Sequence, residues 1–155
     1  MLVGFVFLAG CSSHPPANVK PISLAIFEVV ECKTGGAPAM SVKGSTEKYC
    51  LAAKPVVDET DIRHALPRRG NSGKPELALY FTLKAGQRMR VATERISAAH
   101  QQRNDLGKMG LVIDGMLVKV PSLTGVVSDS LVIDGEFSWE DAVQIAESLN
   151  ARKTP

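Results

Sequence analysis

The chain has 155 residues, 45% of them hydrophobic and 22% charged, which suits one globular core and excludes a disordered chain. Eighteen basic against sixteen acidic side chains leave a formal charge of +2, so bulk electrostatics favours neither nucleic acid nor an anionic surface as partner. After the first ten residues nothing approaches the roughly 20 consecutive apolar residues that span a bilayer.

Residues 1–10, MLVGFVFLAG, are an apolar run closed by Leu8-Ala9-Gly10-Cys11. A hydrophobic segment, small residues at the cut and then a cysteine is the pattern of a bacterial lipoprotein signal peptide, with the Cys11 thiol as the acceptor of a diacylglyceryl group. The run lacks the Lys or Arg of an ordinary n-region, a departure that a start upstream of Met1 would explain. The competing reading is a hydrophobic strand followed by a free cysteine. Residues 11–21 then form the lipidated cysteine and a linker, with three prolines in SSHPPANVKP, able to span up to ~35 Å.

The folded domain is expected over residues 22–152. Ile22, Leu24 and Ile26 alternate as a strand that continues to Val30. Residues 34–46 carry the breakers of a loop, and residues 49–57 resume an extended pattern interrupted by Pro55. Cys32 and Cys50 bracket this loop. With Cys11 acylated they form an even pair in an exported chain, which predicts a disulfide; a metal pair or two free thiols are the rival readings. His14, His64 and His100 are scattered without ligand spacing, so no metal is expected.

Asp58-Glu-Thr-Asp61 followed by residues 62–66 predicts a short helix capped by Asp58 or Thr60 and stopped by Pro67. Residues 68–75, RRGNSGKP, make a basic glycine loop. A phosphate-binding loop needs Gly where Arg68 stands and Ser or Thr where Pro75 stands, so a solvated turn is expected. Leu77, Leu79, Phe81 and Leu83 alternate as a strand, and residues 86–101 place Met89, Ala92, Ile96 and Ala99 on one helical face. A strand over 109–113 meets Asp114-Gly115, the residue pair of a tight hairpin, and 116–120 returns against it. Residues 131–135 repeat LVIDG of 111–115 and predict another buried strand ending in a turn. Ser138 caps the last helix with Asp141 in reply, and Trp139, Ala142, Val143, Ala146 and Leu149 form its apolar stripe. The expected fold is α+β: a single domain, a mostly antiparallel sheet packed against two main helices plus one short helix.

Residues 77–155 resemble the head subdomain of the large periplasmic domain of SecD, part of the SecDF protein-export accessory complex. The resemblance is carried by Phe81-Thr82, the helix from Gly86, and the run from Gly107 through Asp114-Gly115. It continues in Val120-Pro121-Ser-Leu123, Ile133-Asp-Gly135 and Phe137-Ser-Trp-Glu-Asp-Ala142. It implies a periplasmic surface that meets unfolded or folding polypeptide. SecD continues into transmembrane helices that use a proton gradient, and pumping is not part of the expectation here.

Ser72 and Ser122 lack a nucleophile elbow, and no histidine has a companion acid at an informative spacing. Asp114 and Asp134 are explained by their Asp-Gly turns, and Trp139 as the anchor of its helix. The chain is therefore expected to be a non-catalytic, lipid-anchored binding or accessory protein of the cell envelope, without cofactor. Its partners are the membrane through the anchor and a protein or polypeptide. Arg88, Arg95 and Met40 form the candidate partner surface, with a solvated helix face as the plain alternative for the arginines. Ser12 after Cys11, unlike the Asp that retains enterobacterial lipoproteins in the inner membrane, points to the outer membrane. A structural envelope lipoprotein without a client is the second reading, and an enzyme with an unrecognised site the third.

Overall fold

The computed structural model describes residues 19–33, 39–103, 107–134 and 137–152. The expected signal peptide, Cys11 and most of the linker lie outside the described residues, as do residues 34–38 of the first loop and Gly135. Nine strands, one 3₁₀ turn and two helices are described. They are β1 (Leu24–Val30), β2 (Met40–Ser41), β3 (Lys48–Leu51), β4 (Val57–Asp58), the 3₁₀ turn Glu59–Asp61, β5 (Ile62–Arg69) and β6 (Pro75–Phe81). Then come α1 (Leu83–Gln101), β7 (Met109–Ile113), β8 (Met116–Lys119), β9 (Ser130–Asp134) and α2 (Trp139–Ala151).

The strands form two sheets in which every described pairing is antiparallel. The larger has the order β2-β3-β1-β7-β8, with β4 continuing beside β1, and the smaller has the order β5-β6-β9. Both sheets and both helices close on one core. Leu24 and Ile26 of β1, Leu77 and Leu79 of β6, Met89 of α1 and Leu149 of α2 are all at most 2% exposed within it. The domain is α+β, as its sequence pattern implied.

The larger sheet also curls, for its edge strands β2 and β8 come within 8 Å of each other. A smaller apolar packing fills the face turned away from the main core. Gly110 of β7 lies at its floor, where a Cβ would stand only 2.7 Å from Leu51 Cδ2 and 3.1 Å from Leu117 Cδ1. The turn Asp114-Gly115 has φ of +48° and +77°, the left-handed pair that a two-residue hairpin requires. Asp114 Oδ1 accepts from Ser23 N at 2.8 Å, tying that turn to the start of β1.

Three local expectations are corrected. The short helix is a single 3₁₀ turn, capped by Asp58 with Asp61 replying, and residues 62–66 belong to strand β5. Pairing with β6 outweighs the local helical signal here. Pro67 is tolerated inside β5 because it shares the phase of Ala65, whose backbone faces away from β6, so no ladder donor is lost. Helix α1 starts at Leu83, three residues earlier than Gly86, because Thr82 Oγ1 accepts from Ala85 N. Leu83 is accordingly a helical residue, 79% exposed, and not the last apolar position of a strand. Finally, residues 40–41 of the expected loop are a strand, Met40 pairing with Tyr49.

Candidate partner surface

Helix α1 runs alongside β1, and between its C-terminal half and the β1–β3 pair lies an open groove of about 900 Å³. Helical spacing brings Arg95, Ala99 and Arg103 onto one line facing it, with Ile96 beside them. From the strands come Val30, Leu51, Ala52 and Ala53. Val30 is 38% exposed, an apolar side chain at the sheet end with nothing packed fully over it. The Cys32–Cys50 disulfide closes that end, with Cα atoms 5.2 Å apart, because Val30 pairs with Cys50 and Cys32 follows two residues on.

Charges of alternating sign rim this apolar floor. Arg95 holds Glu28 with two hydrogen bonds, Nη1 to Oε1 at 3.0 Å and Nη2 to Oε2 at 2.6 Å. The hydrogen bond and charge of Glu28 raise the Arg95 pKa further above its ordinary value. Arg103 Nη1 donates to Glu31 Oε1 at 3.1 Å. Lys108 Nζ lies 3.6 Å from Glu47 and 5.3 Å from the centre of the Tyr49 ring. A hydrogen bond from Tyr49, aided by Lys108, holds the Glu47 carboxyl below the usual carboxylate range, and the same bond pushes the Tyr49 phenol up. Exposed pairs of this kind contribute little to stability, because water screens the charges and ordering the long side chains costs entropy. Their main effect is to fix where the rim charges point.

The candidate residues from the sequence separate in space. Arg95 lines the groove and also a shallower depression of about 500 Å³ on α1, shared with Lys84, Gln87, Arg88, Val91 and Ala92. Arg88 belongs only to the depression, donating to Val56 O at 3.0 Å and pairing with Asp61. Met40 sits half-buried on β2, outside both linings. Glu28, Glu31 and Lys108 were not anticipated. Glu28 had a legible signal, for it follows Leu24 and Ile26 on the core-facing phase of β1, where an apolar residue is expected.

The remaining chemical candidates have structural partners. Asp134 pairs with Lys119, whose hydrogen bond lowers the carboxyl pKa, whereas Asp114 engages Ser23 in the other sheet. Trp139 is half-buried with the Arg69 guanidinium 5.0 Å from its ring centre, a cation–π contact linking α2 to the β5–β6 hairpin. The basic glycine loop is the turn of that hairpin, with Gly70 N donating to Lys74 O at 2.9 Å. Among the described residues no three His, Cys, Asp or Glu side chains gather where a metal could be held. An apolar floor with charged edges is suited to an extended or amphipathic polypeptide segment, apolar side chains down and backbone toward the rim.

The family model for the SecDF P1 head subdomain matches residues 36–153, and the chain belongs to that family. The match begins well before residue 77, so the resemblance read from the C-terminal half extends over most of the domain. The protein translocase subunit SecD of Koribacter versatilis (strain Ellin345) is 27% identical over 112 residues, 72% of this chain and 19% of that protein. The chain thus spans about a fifth of the length of this curated relative. A solved structure of SecDF, described as a membrane component that enhances protein export, aligns with a TM-score of 0.63 at 17% identity, over 86% of this chain and 64% of that one. SecDF in a super-membrane-facing form aligns with a TM-score of 0.60 at 18% identity, over 83% and 18%. At these identities the two structures establish a shared fold.

Proposed function

We propose that this SecDF P1 head domain is a lipid-anchored, periplasm-facing accessory protein of the bacterial envelope. It has no catalytic activity, and it contacts exported or envelope polypeptide through the groove beside α1. Membership of a family named for the export component SecDF is the observation that carries the reading. The groove supports it with an apolar floor and ion-paired rim suited to a chain segment of mixed sequence. Anchoring rests on Leu8-Ala9-Gly10-Cys11, and the outer membrane is favoured by Ser12 following the acylated cysteine. No helix among the described residues is long and apolar enough to cross a membrane.

Two experiments test the proposal. A photocrosslinking side chain placed at Val30, Ala53 or Ala99 in cells is expected to trap polypeptide, and one placed at Ser72 on the hairpin turn is not. Equal capture from both regions, or none from the groove, removes the assignment of the surface. Labelled palmitate is expected to mark the protein and to be lost in Cys11→Ser; label that survives the substitution removes the anchor.

A further inference from the structure

We propose that the outer edge of β9 is a homotypic docking strand, pairing antiparallel with β9 of a second copy about Val132. The phase of the smaller sheet leads there. On β5, the Ala65 N–H donates to Asn150 Oδ1 at 2.9 Å and its carbonyl accepts from Asn150 Nδ2 at 2.8 Å. Ala65 therefore faces away from β6, and its neighbours His64 and Leu66 face toward it. Opposite them Tyr80 and Ala78 of β6 are committed to β5, which leaves Leu79 and Leu77 to bond Leu131 and Ile133 of β9. Phe81 N donating to Asp129 O at 2.9 Å keeps the same phase. Ser130, Val132 and Asp134 consequently turn their backbone groups to the free edge. Lys119 Nζ reaches Asp134 O there, and the Ser130 and Val132 groups have no partner among the described residues.

The two edges of this sheet are treated differently. The Asn150 amide occupies β5 as a strand would, whereas β9 is left open with Val132 41% exposed. An open edge recognises another strand, and the sequence of β9 fits itself. In the register centred on Val132, Ser130 stands opposite Asp134 of the second copy, Val132 opposite Val132, and Leu131 opposite Ile133. A hydroxyl meets each carboxylate and no two like charges face one another. Two bonds between the Val132 groups and two from Asp134 N to Ser130 O form without disturbing Lys119. Exposed Leu66 and Val132 flank Ala78, which is buried at 2%, and pairing through Val132 would join two such rows across six strands. Lys119 blunts one end of the strand. Five residues also bury well under the roughly 1,000 Å² typical of a stable interface, so the dimer is weak and forms when copies are concentrated.

The test uses the full chain expressed in cells and oxidised with copper phenanthroline. Val132→Cys is expected to form a disulfide-linked dimer at least about tenfold faster than Ser72→Cys, since paired Cα atoms stand ~5.5 Å apart, within disulfide reach. Co-expressed Ser130→Cys and Asp134→Cys chains are expected to crosslink to each other and not each to itself. Adding Val132→Pro to that pair removes only an outward N–H, so it is expected to abolish the crosslink while leaving the melting temperature of the domain unchanged. Equal rates for Val132→Cys and Ser72→Cys overturn the proposal. So does Ser130→Cys pairing with itself as fast as with Asp134→Cys, or a crosslink that survives Val132→Pro.

Discussion

Substituting Gly86 by alanine sets two effects of known size against each other. Gly86 lies in the first turn of α1 and is buried. In a free helix, alanine is more favourable than glycine by about 1 kcal/mol. Here the new Cβ would stand 2.6 Å from the backbone oxygen of Ser128. That oxygen cannot retreat freely, because its loop is pinned on both sides: Val127 N donates to Thr93 Oγ1 at 3.0 Å and Phe81 N to Asp129 O at 2.9 Å. Releasing Val127 loses the bond its N–H makes to the fully buried Thr93 hydroxyl, about 0.5–1.5 kcal/mol, while that hydroxyl keeps its own bond to Met89 O at 2.9 Å; overpacking strain adds ~1–3 kcal/mol. The clash is expected to win, with a net loss of about 1–3 kcal/mol. Urea unfolding of the oxidised protein measures it, and the midpoint should fall by roughly 0.5–1.5 M at unchanged m. Val91→Ala, at a 64% exposed position of the same helix, should raise the midpoint slightly. A Gly86→Ala protein as stable as the parent would refute the account of the α1–loop contact.

Opening the Cys32–Cys50 bridge, which closes a separation of 18 residues, is expected to cost about 3 kcal/mol in the chain-entropy model, read as the difference between urea midpoints with and without reductant. Asn150→Ala removes both bonds to the Ala65 backbone on the part-buried β5 edge and should cost about 1–3 kcal/mol in the same assay. Asn150→Asp keeps an acceptor for the Ala65 N–H but sets a carboxylate oxygen against the Ala65 carbonyl, so at neutral pH it should cost at least as much as Asn150→Ala. Stability should also decline in acid. Asp58, held down by its Thr60 hydrogen bond, and Asp134, held down by Lys119, both titrate below the ordinary 3.8 in the folded chain. Their contribution is present above 3.8 and is lost as the pH falls through the lower folded values. Thermal melts between about pH 5 and pH 2 should show a shallower decline for Asp58→Asn combined with Asp134→Asn, and an unchanged slope contradicts the assignment.

The elements legible in the sequence are those whose signals are local. Ser138 and Asp141 announce α2 because a capping box is complete within four residues. Asp114-Gly115 announces its hairpin because the turn's backbone conformation is demanding and few residues accept it. The α2 stripe was only partly readable. Trp139 and Val143 are half-buried, while Ile145 and Ser148 are buried, because Ser148 Oγ accepts from Ile22 N at 2.8 Å, 126 positions away in the chain.

Periodicity, caps and turns, all held within a few neighbouring residues, determined the α+β class, most strand positions and both main helices before any packing was known. Tertiary structure alone decided that residues 62–66 extend, since β6 supplies their ladder partners. It likewise joined Glu28 and Arg95, 67 positions apart, across one groove. A one-dimensional pattern records what each segment can bury; which distant segment it is buried against depends on chain crossings that no short window contains.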